Sequence, residues 1–236
     1  MKIITFIFNW RGQYEKTVEK VKQLKGIGIE PIVINSDDEH NDSDWHNIGE
    51  DSYFTAQFMK AIELFKELKG DVLFHIQGDA SYTNWEQLYT DAEKYFNIYG
   101  WGIYAPNVDY TWYDSSKVDL QFDLEEPNLK IVSNPDCTCW FIHKDILEIA
   151  EEKNVDFTPY KMGWSFDIIY TAISFMNQRP VIRDYAHTID HPKVTNYNKD
   201  QAEKEMYTFY ETLSDDIKEA FAYIKQDKDQ LLNYYA

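Results

Sequence analysis

Cysteine, glycine and proline are scarce in this chain, with 2, 9 and 7 of them among 236 residues. The two cysteines, Cys137 and Cys139, stand one residue apart in DCTCW. Adjacent strand positions point to opposite faces, so a disulfide between them would be strained and two buried free thiols are expected. No G-x-G-x-x-G follows the first strand-like run and no G-x-x-x-x-G-K-[ST] occurs. The glycine scaffolds of dinucleotide and P-loop phosphate binding are therefore missing, and another device must hold any diphosphate. No apolar run approaches the length of a transmembrane helix. The opening MKIITFIFNWRGQ lacks a small-residue cleavage site, so a cytoplasmic protein is the expectation. Basic residues are also few, 23 against 41 acidic, and the net charge of −18 repels nucleic acid and anionic membrane surfaces.

What is present is a large apolar and aromatic content. Hydrophobic residues make up 44% of the chain, enough for a substantial core, and 18 Tyr and 7 Trp suit stacking on planar or sugar rings. KIITFIF at 2–8 reads as a fully buried strand, and Val18, Val21 and Leu24 then mark a helical stripe. PIVINSDD at 31–38 is a second strand, so the chain opens as a β-α-β unit. A helix over 54–68 is closed by Lys69-Gly70, and DVLFHIQGD follows as a strand. Further along come a helix over 84–96, a strand over 101–107 and a polar, aromatic loop over 108–128, whose part 110–124 is expected to close over ligand. KIVSNPDCTCWFIHKDILEIAEE reads as strands entering a helix. A helix over 165–176, a short strand PVIRDY, a polar crossing HTIDHPKVTNYN and C-terminal helices from about 199 complete the chain. The predicted fold is α/β, a three-layer sandwich around a mostly parallel twisted sheet. One domain over 1–198 carries a helical extension over 199–236.

Open parallel sheets bind ligands beyond the carboxyl ends of their strands. Four predicted strand ends offer polar groups there: Asn9 with Arg11, Asn35 with Asp37 and Asp38, Asp79 with Ser81, and Asn107 with Asp109. FHIQGDAS at 74–81 matters most, because an apolar strand that stops on Gly-Asp is either a plain turn or a cation site. Without a glycine-rich loop, a divalent cation held by one or two carboxylates can bridge phosphate oxygens, and Asp79 is the best placed ligand.

These segments resemble the GT-A class of nucleotide-sugar glycosyltransferases, in particular its inverting, family-2-like members, over most of residues 1–195. IITFIFNWRGQYEKTVEKV is similar to the opening strand, loop and helix of that class, and PIVINSDD to its second strand. Gln77-Gly78-Asp79 falls where the class carries its Asp-x-Asp metal motif, with Gln77 replacing the first acid. MGWSFDIIYTAISFMNQRPVIRDY is similar to the Gly-Trp-Gly-x-Asp helix start, and HTIDHPKVTNY to the segment whose histidine completes the metal site.

The resemblance implies Mn2+ or Mg2+ at Asp79 and His191, with His187 as a rival ligand. It implies a nucleotide-sugar donor, a UDP-sugar first of all, held around Phe8, Asn9, Arg11, Asn35, Asp37, Gln57, Gln77 and Gly78. Trp164, Asp109 and Trp112 fall to sugar or acceptor, and Asp167 to the base that deprotonates the acceptor hydroxyl. Burial of Asp167 by the acceptor would raise its pKa. His75, inside an apolar strand, is expected to be a satisfied core histidine. The acceptor leaves no mark in the residues, and a hydroxymethylated base stays compatible with them. The alternatives are a nucleotidyltransferase, for which NWRGQYEK is a poor match, and a non-catalytic nucleotide-sugar-binding protein, which the Gln77 replacement keeps open.

Overall fold

The computed structural model of the chain describes residues 1–40, 42–109, 122–192 and 197–224. Trp112 and most of the expected ligand-closing segment lie outside them. Strands β1 (Ile3–Asn9), β2 (Ile32–Asn35), β3 (His46–Asn47), β4 (Val72–Gln77), β5 (Ile103–Val108), β6 (Phe122–Asp123), β7 (Leu129–Ile131), β8 (Cys139–His143) and β9 (Val181–Ile189) form one nine-stranded sheet. Its spatial order is β3-β2-β1-β4-β8-β5-β9-β7-β6. Among the described residues the helices are α1 (Tyr14–Gly26), α2 (Phe54–Glu67), α3 (Trp85–Tyr99), α4 (Lys144–Glu152), α5 (Phe166–Met176), α6 (Lys199–Thr212) and α7 (Asp215–Ile224).

The period-2 alternation of the strands divides the core. Phe6 and Phe8 of β1 join one apolar cluster with Phe58 of α2, Ile146 of α4, Tyr170 of α5, Phe209 of α6 and Ile217 of α7. Ile7, between them in sequence, joins the other with Leu24 of α1 and Trp85 and Leu88 of α3. The result is the expected layering of helices, sheet and helices.

The sheet itself corrects the expectation of mostly parallel strands. It is mixed, because four of its eight strand pairings are antiparallel. Two of them come from CWFIH, which re-enters between β4 and β5 as β8 and runs against both, and two from β7, which runs against β9 and β6. A strand buried on both faces is apolar throughout, so its sequence does not record its direction.

Two further expectations shift. Leu24 of α1 is buried as expected, but Val18 is 37% exposed, and Thr17 and Lys20 face inward. Polar residues hold those positions because the sheet edge supplies their partners, as described below. The strand expected over PVIRDY runs on for nine residues to Ile189. It pairs with β5 across a register shift between Pro106 and Asn107, at a proline that has no N–H to give to the ladder.

His75 is a core residue, fully buried, with its ring 4.1 Å from that of Phe8 and 5.4 Å from that of Phe54. Neither ring nitrogen makes a hydrogen bond of normal geometry, although the Cys137 backbone lies near enough to favour the protonated ring. Burial lowers its pKa to about 3, against a weak opposing effect of the Cys137 backbone. The folded value thus lies below the unfolded one, so unfolding takes up a proton between them. Stability should fall as pH drops from about 6.5 toward about 3, by up to about 1.4 kcal/mol per pH unit from this group. His75→Leu should flatten that slope in denaturant melts run across the window. An unchanged slope would show that His75 does not carry the acid sensitivity.

Candidate functional site at the carboxyl edge of the sheet

Strands β2, β1 and β4 are parallel and in register, with Asn9 opposite Asn35 and Phe8 opposite Gln77. Because β8 runs the other way, its beginning meets the same edge, where the Gln77 N–H donates to the Thr138 carbonyl at 2.9 Å. The parallel pair β5 and β9 brings Asn107 beside Thr188 and Val108 beside Ile189. One edge therefore gathers residues 9–11, 35–40, 77–81, 107–109, 136–138 and 189–191.

The turn after β4 is the most constrained part of it. A Cβ on Gly78 would lie 2.5 Å from the Phe8 carbonyl and 3.3 Å from Thr17 Oγ1, so only glycine allows this approach. From α1, Lys20 Nζ donates to the Gly78 carbonyl at 3.1 Å and to the Ala80 carbonyl. On the other side Ser81 and Asp190 exchange backbone hydrogen bonds of 2.9 and 3.0 Å. That bridge sets His191 beside Asp79, with Nε2 3.7 Å from Oδ1 and side chains only 8% and 13% exposed. Asp109 Oδ1 accepts the His191 backbone N–H at 2.8 Å.

Asp79 Oδ1 and His191 Nδ1 are buried and have no hydrogen-bond partner. Burial pushes the Asp79 carboxyl above its ordinary range, opposed by His191, Lys16 and Lys20. Buried polar atoms normally have partners, and an orphaned carboxylate oxygen facing an imidazole is a donor set that a Mn2+ or Mg2+ ion would satisfy. One carboxylate and one imidazole leave the remaining positions to phosphate oxygens and water. The residues present fit such an ion.

A second group of side chains lies beside this one. Gly163 at φ +72° packs so closely on Phe54 that a side chain would collide with that ring, and Ser165 at φ +78° starts α5. Between them Trp164, half-buried, donates its indole N–H to the Tyr197 hydroxyl at 2.9 Å. Asp167, 9% exposed, stands in the first turn of α5 and accepts the Ile168 N–H at 2.9 Å. Asp136, in the left-handed region at φ +66°, accepts the Thr138 N–H at 2.9 Å and its hydroxyl at 2.8 Å.

Electrostatic coupling ties these groups together. Burial, then Asp167 and Asp136, raises the Cys137 thiol well above its usual value. Burial also raises the Tyr197 phenol, against the Trp164 hydrogen bond, with Cys137, Asp136 and Asp79 adding to the rise. Asp79, Asp136 and Asp167 are thus within electrostatic reach of one another's neighbours. Cys137 and Cys139 are both free, though only Cys139 is fully buried.

The residues expected to touch the nucleotide divide by environment. Asn9, Asn35 and Gln57 are buried and bonded to one another's groups: Asn9 Nδ2 donates to Asn35 Oδ1 at 2.7 Å, and Gln57 Nε2 to the Asn9 carbonyl at 2.7 Å. Thr17 Oγ1 completes the set by donating to Asn9 Oδ1 at 2.8 Å. Phe8 is fully buried among Phe54, Phe58 and His75. Asp37, also buried, accepts the Glu39 N–H at 2.9 Å and lies 3.0 Å from His40 Nδ1. These five side chains shape the edge and present little surface to a ligand. Arg11 is exposed and paired with Glu39 and Glu50 at 2.9 and 2.8 Å, and Gln77 is half-buried.

His187, the rival ligand, groups with Asp91 and Asp184, whose ligand atoms lie within 4.8 Å of one another and could hold an ion; its Nδ1 is 2.6 Å from the Tyr82 hydroxyl and its Nε2 2.9 Å from Asp91 Oδ2. Asp184, 3.7 Å away, accepts the Tyr104 hydroxyl at 2.5 Å. Lys20 and Tyr197 are the participants that sequence reasoning missed. A lone lysine on a helix reads as solvated, and only the polar pair Thr17/Lys20 one turn apart hinted at an inward polar face.

No protein-family model matches the chain, and no curated protein matches it in sequence. Among solved structures it is similar to S. aureus TarS 1-349 in complex with UDP-GlcNAc, with a TM-score of 0.59 at 11% identity over 100% of this chain and 72% of that one. Another structure of S. aureus TarS 1-349 gives 0.53 at 10% identity over the same shares. A197 from STIV, 15% identical over 80% of this chain and 81% of its own, reaches 0.44, too loose to bear on the fold. The fold is GT-A-like, with a mixed sheet. Among the described residues no helix is long and apolar enough to cross a membrane.

The raised pKa of Asp79 has a checkable sign. An acid with a higher value folded than unfolded weakens the fold as pH rises from the ordinary carboxylate range through that higher value. In EDTA at pH 7, Asp79→Asn should therefore melt above the wild type, and the gain should vanish at pH 3.5. A variant destabilised equally at both pH values would contradict the burial cost assigned to Asp79.

Proposed function

We propose that the chain is a divalent-metal-dependent glycosyltransferase that moves a sugar from a nucleotide diphosphate donor, a UDP-sugar first of all, to an acceptor hydroxyl. The observation that carries this reading is Asp79 Oδ1, buried without a hydrogen-bond partner and 3.7 Å from His191 Nε2, at the carboxyl edge of a GT-A-like sheet. The likeness to TarS, whose structure holds UDP-GlcNAc, supports the donor class.

Asp79 and His191 would hold the cation, Mn2+ or Mg2+, and Asp109 keeps the His191 backbone in place. When bound, such a cation supplies Lewis-acid stabilisation of the departing diphosphate. Asp167, buried at the start of a helix, would accept the proton of the attacking hydroxyl in an inverting transfer. Its neighbour Trp164, braced by Tyr197, offers an apolar ring face for a sugar. Gln77 stands where the resembling class has its first acid, the position assigned there to the ribose, so the replacement bears on the donor contact rather than on the ion.

Calorimetry tests the reading directly. UDP-GlcNAc should bind in the presence of Mn2+ and lose most of its affinity in EDTA, and Asp79→Ala should lose it in both conditions. Asp167→Asn keeps its size but accepts no proton, so it should retain donor affinity while metal-dependent donor turnover falls by roughly 10²-fold or more. Equal affinity with and without the cation would remove the metal reading. Donor binding with no turnover, transfer or hydrolysis would favour the non-catalytic alternative.

A further inference from the structure

We propose that Lys20 is a positioning residue for Asp79: its ammonium clamps the two carbonyls that flank the carboxylate and fixes the turn in its cation-holding form. This rests on the metal reading above and adds a residue that takes no part in ligation itself.

Lys20 is 3% exposed, in the inward face of α1 between Thr17 and Leu24. An unpaired buried ammonium is costly, and a methionine at this position would fill similar space without that cost. What the lysine adds is three donors and no acceptor on a flexible stem. Two of its donors go to the Gly78 and Ala80 carbonyls, one on each side of Asp79. With both flanking carbonyls drawn toward α1, the chain between them has little freedom, while Ser81 is pinned from the opposite side by Asp190.

The cost is visible in the groups themselves. Burial lowers the Lys20 pKa to about 8, with Asp79 the largest opposing influence. The same helix acts on the neighbouring strand end one turn earlier, where Thr17 donates to Asn9. Helix α1 thus holds the ends of β1 and β4 in fixed relation, and Lys20 is its contact with the Asp79 turn. Groups that orient a ligand without touching the ion typically alter metal affinity by 10- to 100-fold when removed.

Mn2+ affinity read by electron paramagnetic resonance, with melting in EDTA followed in parallel, separates positioning from general stability. Lys20→Met should raise the Mn2+ dissociation constant by about 10-fold or more and speed amide exchange at Ala80 and Ser81 in the metal-free protein. Val18→Ala, on the exposed face of the same helix, should change neither. Lys20→Gln, which keeps donors but no charge, should fall between, and it carries the comparison if Lys20→Met fails to fold. Wild-type Mn2+ affinity in the lysine variants would overturn the clamp and leave the metal reading intact. A wild type that binds no Mn2+ would remove both.

Discussion

A carboxylate buried beside an imidazole, with no hydrogen bond to its inner oxygen, is an arrangement that a relaxed loop would abandon. The carboxyl edge of this sheet holds Asp79 and His191 in it from four directions. Gly78 lets the turn sit against the Phe8 carbonyl, Lys20 takes the flanking carbonyls, the Ser81–Asp190 bridge joins the turn to the end of β9, and Asp109 fixes the His191 backbone. Each is a backbone-level restraint, so the two donor side chains are positioned before any ligand arrives. Such preorganisation is what a cation site needs to act on a departing diphosphate.

The mixed sheet contributes more than a packing layer. Because β8 enters antiparallel between β4 and β5, its starting residues and the end of β4 share one edge. An additional parallel strand would have placed Asp136 and Cys137 at the far side of the molecule. Asp136 instead joins Asp79 and Asp167 around Tyr197 and Cys137. A concentration of acids in a chain of net charge −18 repels anions, which makes a bound divalent cation the natural counter-charge for a diphosphate there.

The sequence was legible where pattern and chemistry coincide. The buried strands KIITFIF and DVLFHIQ, the stripe of α2 and the polar groups beyond strand ends follow from period and composition, and they bring Asp79 and His191 to one edge. Three things were not legible. Strand direction in a fully apolar run leaves no trace, so CWFIH reads equally well as a strand of a mostly parallel sheet. The inward face of α1 is hidden in the sequence because Thr17 and Lys20 look like solvent-facing residues until the Asn9 amide and the turn carbonyls are placed beneath them. Asn9, Asn35 and Gln57 read as ligand contacts, yet their hydrogen bonds close on one another, since a polar side chain buried at a strand end must find its partners inside.

In the function proposed above, Asp79 and His191 together hold the cation that supports a nucleotide diphosphate. Pulsed electron paramagnetic resonance of the protein with Mn2+ and UDP reads this directly, through the coupling of the ion to an imidazole nitrogen. The account predicts a nitrogen coupling that is present in wild type, lost in His191→Ala and retained in His187→Gln, with no bound Mn2+ in Asp79→Ala. A coupling that survives in His191→Ala, or Mn2+ held equally well without Asp79, would contradict it.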